Sequence, residues 1–103
     1  MVVVRFCFDL DGTICTTLGL DYESSSPITS RVNHINELYR QGHYIIIFTA
    51  RGTLTGRDYS FLTNSQLKAW GLNHHELILG KPAADIYIDD KGRNSEEYHW
   101  HET

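Results

Sequence analysis

The runs VVVRFCF at positions 2–8 and YIIIF at positions 44–48 are the strongest constraint on this chain. Each is short, almost unbroken in apolar character and rich in β-branched or aromatic residues, as in a strand covered on both faces within a parallel sheet. Parallel neighbours cannot be joined by a tight turn, so a crossover must lie between them. The intervening sequence supplies one: Ile28, Val32, Ile35, Leu38 and Tyr39 recur at helical spacing, after Pro27 and before Gly42, in the usual start and stop positions. A second helix is predicted from about Asp58 to Trp70, with Asp58 as N-cap, Leu62, Leu67 and Trp70 inward, and Gly71 as its stop. Shorter strands are predicted at Leu77–Leu79 and Ile86–Ile88.

Strand–helix alternation with right-handed crossovers predicts a small doubly wound α/β domain whose loops gather at the carboxyl edge of the sheet. A length of 103 residues with 41% hydrophobic content suits one domain over 1–103 and leaves no room for a second. The net charge of −4 argues against broad binding to nucleic acid or anionic membrane, which needs clustered Lys and Arg. A small anionic substrate stays compatible where local charge and a metal outweigh the balance.

The opening run is too short for a membrane span, and Arg5 interrupts it. Cys7 and Cys15 lack the spacing of a disulfide framework or zinc site, which predicts a reducing, cytoplasmic setting. The histidine pairs His74/His75 and His99/His101 lack the further ligands that a transition metal requires. Tyr98 and Trp100 mark the tail as a short edge strand or a docked end.

Each predicted strand is followed by polar residues: Asp9, Asp11 and Thr13 after the first, Thr49 and Arg51 after YIIIF, Lys81 after the third, Asp89 and Asp90 after the fourth. Carboxylates ending an apolar strand are costly unless they have a partner or a chemical role. Brought to one sheet edge, they form an oxygen-rich site of the kind that suits Mg²⁺ and phosphate. A carboxylate there can attack phosphorus, and a second carboxyl two residues on can move protons. A hydroxyl and an ammonium, as Thr49 and Lys81, can neutralise phosphoryl oxygens. Arg51 is placed either to bind substrate phosphate or to pair with an acid of the site, and Gly12 and Thr13 serve the turn.

DLDGT at Asp9–Thr13, Thr49 after a buried strand, Lys81 in GKP and the pair Asp89–Asp90 together resemble the four ordered motifs of the haloacid dehalogenase (HAD) superfamily of phosphohydrolases. The resemblance implies a three-layer Rossmann-like fold with strand order 3-2-1-4. It implies Asp9 as nucleophile and Mg²⁺ ligand, and Asp11 as general acid/base with its backbone carbonyl on the metal. Thr49 and Lys81 become phosphate binders, Asp89 a direct metal ligand, and Asp90 a ligand through water. The phrases IIIFTARG and GKPAADIYIDDKG also resemble small stand-alone HAD proteins associated with capsular or surface polysaccharide biosynthesis, which implies a phosphorylated sugar or sugar-nucleotide precursor as substrate.

Many HAD phosphatases carry a cap domain, whereas here only 14–26 and 52–57 occupy the two insertion points. An uncapped site is closed by a large substrate or by a second copy, and a homo-oligomer is the expectation. Two rival functions come from other classes. One is a Mg²⁺- or phosphate-binding partner of a biosynthetic enzyme, disfavoured because binding alone does not need Asp11. The other is a receiver-like signalling domain, disfavoured because its acidic pair follows the first strand and its phospho-acceptor a middle one.

Overall fold

The computed structural model of the chain describes residues 2–101. In chain order the elements are β1 (Arg5–Asp9), β2 (Cys15–Thr16), a 3-10 turn at Tyr22–Ser24, β3 (Ser26–Pro27), α1 (Thr29–Arg40), β4 (Tyr44–Thr49), α2 (Ser60–Ala69) and β5 (Glu76–Leu79). β1, β4 and β5 form a parallel sheet in the order β1-β4-β5, while β2 and β3 pair separately as a small antiparallel ribbon.

Register decides which side chains meet the helices. Phe6 lies opposite Ile45, and Phe8 opposite Ile47, which in turn faces Leu77, so these five share one face of the sheet. That face carries the core, where Phe8, Ile45 and Ile47 join Val32, Ile35 and Leu38 of α1, Leu67 of α2 and Leu72. Ile35, Ile45, Ile47 and Leu67 have no exposed surface, and each contributes about 1.5–3 kcal/mol by leaving water.

The opposite face differs from expectation. β4 alternates between half-buried and buried residues, and Ile78 keeps 41% of its surface exposed. A strand order that runs one way with crossovers of one hand puts both helices on the same face. Covering the other face requires a strand on the far side of β1, and the described residues form none. The predicted strand at Ile86–Ile88 is irregular, with Ile86 and Ile88 exposed by 76% and 92%. The described residues therefore form one three-stranded parallel sheet with both helices on one face, and the second helical layer of the expected doubly wound, three-layer arrangement is not among them.

The helices match their predicted spans to within two residues. Asp58 caps α2 from one position further out than expected: Tyr59 is the N-cap, while the Asp58 carboxylate accepts the Ser60 N–H at 2.9 Å. In α1 the inward face includes His34, and Tyr39 turns outward. The tail docks as predicted, with the Trp100 and Tyr98 rings against Phe8 at centroid distances of 5.6 and 6.1 Å and Tyr98 hydrogen-bonded to His34. No helix among the described residues is long and apolar enough to cross a membrane.

Candidate active site

β1 ends on Asp9, and the chain then turns sharply. The Leu10 carbonyl accepts the N–H groups of Thr13, Ile14 and Cys15 at 3.1, 2.8 and 3.3 Å. Gly12 sits at φ +81°, a conformation that side chains with a Cβ resist, and its N–H reaches the Cys15 carbonyl at 2.8 Å. This turn returns Thr13 to the strand end, where its hydroxyl donates to Asp9 Oδ2 at 3.0 Å. The Lys81 ammonium holds Asp9 Oδ1 at 3.2 Å. The Asp9 carboxylate stays 33% exposed, so it is oriented yet open to a ligand.

The turn is braced from behind. Arg31 on α1 donates to the Thr13 carbonyl at 2.9 Å, and its guanidinium lies 4.7 Å from the Trp100 ring centroid. The docked tail thus supports the strand end that carries Asp9.

β4 ends on Thr49, buried to 1% exposure, whose hydroxyl accepts the Arg51 N–H at 3.2 Å and keeps its own proton to donate. The Lys81 N–H bonds the Thr49 carbonyl at 3.1 Å, carrying the β5 register one step into the loop and setting Lys81 beside Asp9. Thr53 adds a bond from its hydroxyl to the Lys81 carbonyl at 2.8 Å.

Asp11 makes the most developed contact of the site. Arg51 grips it with two parallel bonds, Nε to Oδ2 at 2.9 Å and Nη2 to Oδ1 at 2.8 Å, the strong fork geometry of a guanidinium on a carboxylate. Thr17 donates to Oδ1 at 2.6 Å, and the Cys15 thiol lies 3.5 Å from the same oxygen. Burial pushes the Asp11 carboxyl up, but the Arg51 and Thr17 bonds and the guanidinium charge outweigh it and hold its pKa below the usual carboxylate value. Burial, with the neighbouring Asp11 charge, raises the Cys15 thiol to about 11, so it stays protonated and unreactive.

The Asp11 shift has a consequence for stability. A carboxyl with a folded pKa below its unfolded value, about 4, adds stability that is complete above that value and lost as pH falls through the folded one. Urea midpoints measured from pH 7 to pH 2 should therefore drop on acidification in the native protein, and drop less steeply in Asp11→Asn. Equal slopes would show that the pair contributes nothing to folding.

Asp9, Asp11, Thr49, Arg51 and Lys81 line one open groove of about 250 Å³ together with Gly19, Tyr22, Ala50 and Tyr87. Asp89 and Asp90 are not among them. Asp89 is fully exposed, its Oδ1 accepting the N–H groups of Lys91 and Gly92 at 2.7 and 2.5 Å, and these bonds hold its pKa below the usual value. Among the described residues no three His, Cys, Asp or Glu side chains gather as a metal-binding group.

Sequence reasoning missed Thr17, Tyr22, Ser25, Thr63, Gln66 and Tyr87. A signal existed for two of them: Thr63, Gln66, Leu67 and Trp70 make an i, i+3, i+4, i+7 stripe, so two polar residues lie on the inward face of α2. Tyr87 reaches the groove because the segment after Pro82 bends back, placing the Lys81 ammonium 4.4 Å from the Tyr87 ring centroid.

No family model matches the chain, and no curated protein does. A crystal structure of a target protein from Vibrio cholerae superposes with a TM-score of 0.82 at 25% identity, over 92% of this chain and 86% of that one. The likeness supports the α/β fold and carries no statement of activity.

Proposed function

We propose that the chain is a Mg²⁺-dependent phosphatase of the HAD type, hydrolysing a phosphate monoester through an aspartyl-phosphate on Asp9. The observation that carries this reading is the convergence of Asp9, Asp11, Thr49 and Lys81, from the ends of three parallel strands, on one open groove. A loose assortment of loop charges would not include an oriented, partly exposed carboxylate beside an ammonium and a hydroxyl.

In this mechanism an Asp9 carboxylate oxygen attacks phosphorus and the ester P–O bond breaks, the departing oxygen taking a proton from Asp11 or, with an aryl leaving group, from solvent. Thr13 and Lys81 fix the Asp9 rotamer for that attack, and Lys81 with the Thr49 hydroxyl neutralises charge on the transferring phosphoryl oxygens. Asp11 then accepts a proton from the water that hydrolyses the acyl phosphate. The Arg51 pair holds Asp11 as the carboxylate, which suits this second step and works against protonating the leaving oxygen in the first. Esters with good leaving groups are thus the favoured test substrates.

Mg²⁺ fits the donor set, because it is held through one or two carboxylates with water and phosphate oxygens rather than by an all-protein cage. The Asp9 carboxylate and the Asp11 backbone carbonyl would hold it, and it would supply charge neutralisation for the incoming phosphate. The same reading calls for a fourth strand along the free edge of β1, in the order 3-2-1-4; were 86–88 to pair there, Asp89 would reach the metal directly and Asp90 through water. Ile86 and Ile88 are exposed and β1 has an unpaired edge, two liabilities that such pairing would remove together.

The reading extends to a phosphorylated sugar or sugar-nucleotide precursor as substrate, a cytoplasmic setting and a homo-oligomer closing the groove. The position of Asp89 outside the groove favours one alternative, a phosphate- or Mg²⁺-binding partner without turnover. Phosphate release from sugar phosphates, nucleotides and an aryl phosphate, with Mg²⁺ and with EDTA, separates the two. Release that EDTA abolishes is expected; no release from any ester, with phosphate still bound, selects the binding role.

A further inference from the structure

We propose that Arg51 is the positioning residue for Asp11, tying it to α2 and to the 17–25 loop, and does not bind substrate phosphate. The proposal rests on the phosphatase reading and specifies how its proton-transfer group is held. A guanidinium has five N–H donors, and here every one has an acceptor. Nε and one Nη2 hydrogen take the two Asp11 oxygens at 2.9 and 2.8 Å, and the other Nη2 hydrogen reaches Ser25 Oγ at 3.2 Å. Nη1 serves Thr63 Oγ1 at 3.2 Å and Gln66 Oε1 at 2.5 Å. No donor is left for a phosphoryl oxygen, and the side chain has no exposed surface.

The supports of Arg51 are themselves fixed. Gln66 donates to the Tyr22 carbonyl at 2.6 Å, the Tyr22 ring lies 4.8 Å from the guanidinium carbon, and Ser25 pairs with Thr17 at 2.6 Å. Thr17 also reaches Asp11. Helix, loop and β4 therefore meet at one side chain, whose planar fork sets the plane of the Asp11 carboxylate. Lysine keeps the charge but offers a single point of contact, so it cannot impose that plane.

The test is steady-state kinetics on an aryl phosphate, comparing native protein, Arg51→Lys, Asp11→Asn and the double variant, each corrected for folded fraction by thermal unfolding. A positioning role predicts that Arg51→Lys lowers kcat about 10- to 10²-fold with KM within about 2-fold. It further predicts that the same change costs less than about 2-fold in the Asp11→Asn background. A KM rise of about 10-fold at unchanged kcat, or equal cost in both backgrounds, overturns the proposal. Thr63→Val removes one support without touching Asp11 and should lower kcat a few-fold at constant KM, which keeps the test decisive if Arg51→Lys does not fold. Absence of turnover by the native protein overturns the phosphatase reading itself and this role with it.

Discussion

Asp9→Asn is expected to reduce Mg²⁺-dependent turnover by at least about 10²-fold, and Asp11→Asn by a comparable factor, in protein that still folds. The two losses have different origins. An amide at position 9 cannot become an acyl phosphate, so the covalent route closes. At position 11 the amide keeps one acceptor oxygen for the Arg51 fork yet cannot take a proton from water.

The variants should also differ in stability. Asp9 is one third exposed and its partner Lys81 is 18% exposed, so its neutralisation is mild. Asp11 neutralises a guanidinium with no exposed surface, and its loss leaves that charge without a counter-ion, the costly way to break such a pair. Rapid-quench detection of acid-stable phosphoprotein during turnover gives an independent check on the nucleophile. Label on native protein and none on Asp9→Asn is the expected pattern, and near-native turnover by Asp9→Asn would remove the mechanism.

Gly52→Ala should destabilise the fold by at least about 2 kcal/mol, the largest effect expected from adding one methyl group. Gly52 has φ +83°, and a Cβ there would stand 2.2 Å from the Arg57 carbonyl oxygen. That oxygen is backbone, so no rotamer change relieves the overlap. The same residue accepts the Gly56 N–H at 2.8 Å, which closes the loop, and it directly follows Arg51. Displacing it therefore pulls on the guanidinium network as well as on the loop. Gly19→Ala is the control: its φ is +58° with nothing within 4 Å of the added atom, so only backbone strain of about 1 kcal/mol remains. Equal unfolding midpoints for the two variants would mean that the loop after β4 yields without cost.

Much of the site was legible because it depends on local pattern. β1, β4 and β5 were predictable from short apolar runs, and each gives way to a polar residue at or just past its end. That placed Asp9, Thr49 and Lys81 at a common edge before any contact was known. The turn after β1 was legible too, since Gly12 and Thr13 are small, turn-forming residues next to a strand end. The ribbon of β2 and β3 was not: two residues on each strand carry no period, and the 14–26 segment reads as unpatterned.

Apolar periodicity and turn chemistry act over a few residues, so the alternation of strands and helices, the inward stripe of α1 and the carboxyl-edge location of Asp9 and Asp11 follow from local pattern. Tertiary structure alone decided that Arg51 belongs to Asp11, 40 positions away, since a guanidinium surrounded by Thr63, Gln66 and Ser25 has no short-range signature. It decided as well that the helices share one face, and that 86–88 lies outside the sheet. A strand at an edge joins only where pairing and burial together exceed the entropy of ordering it, a balance set by the whole fold and not by the three residues concerned.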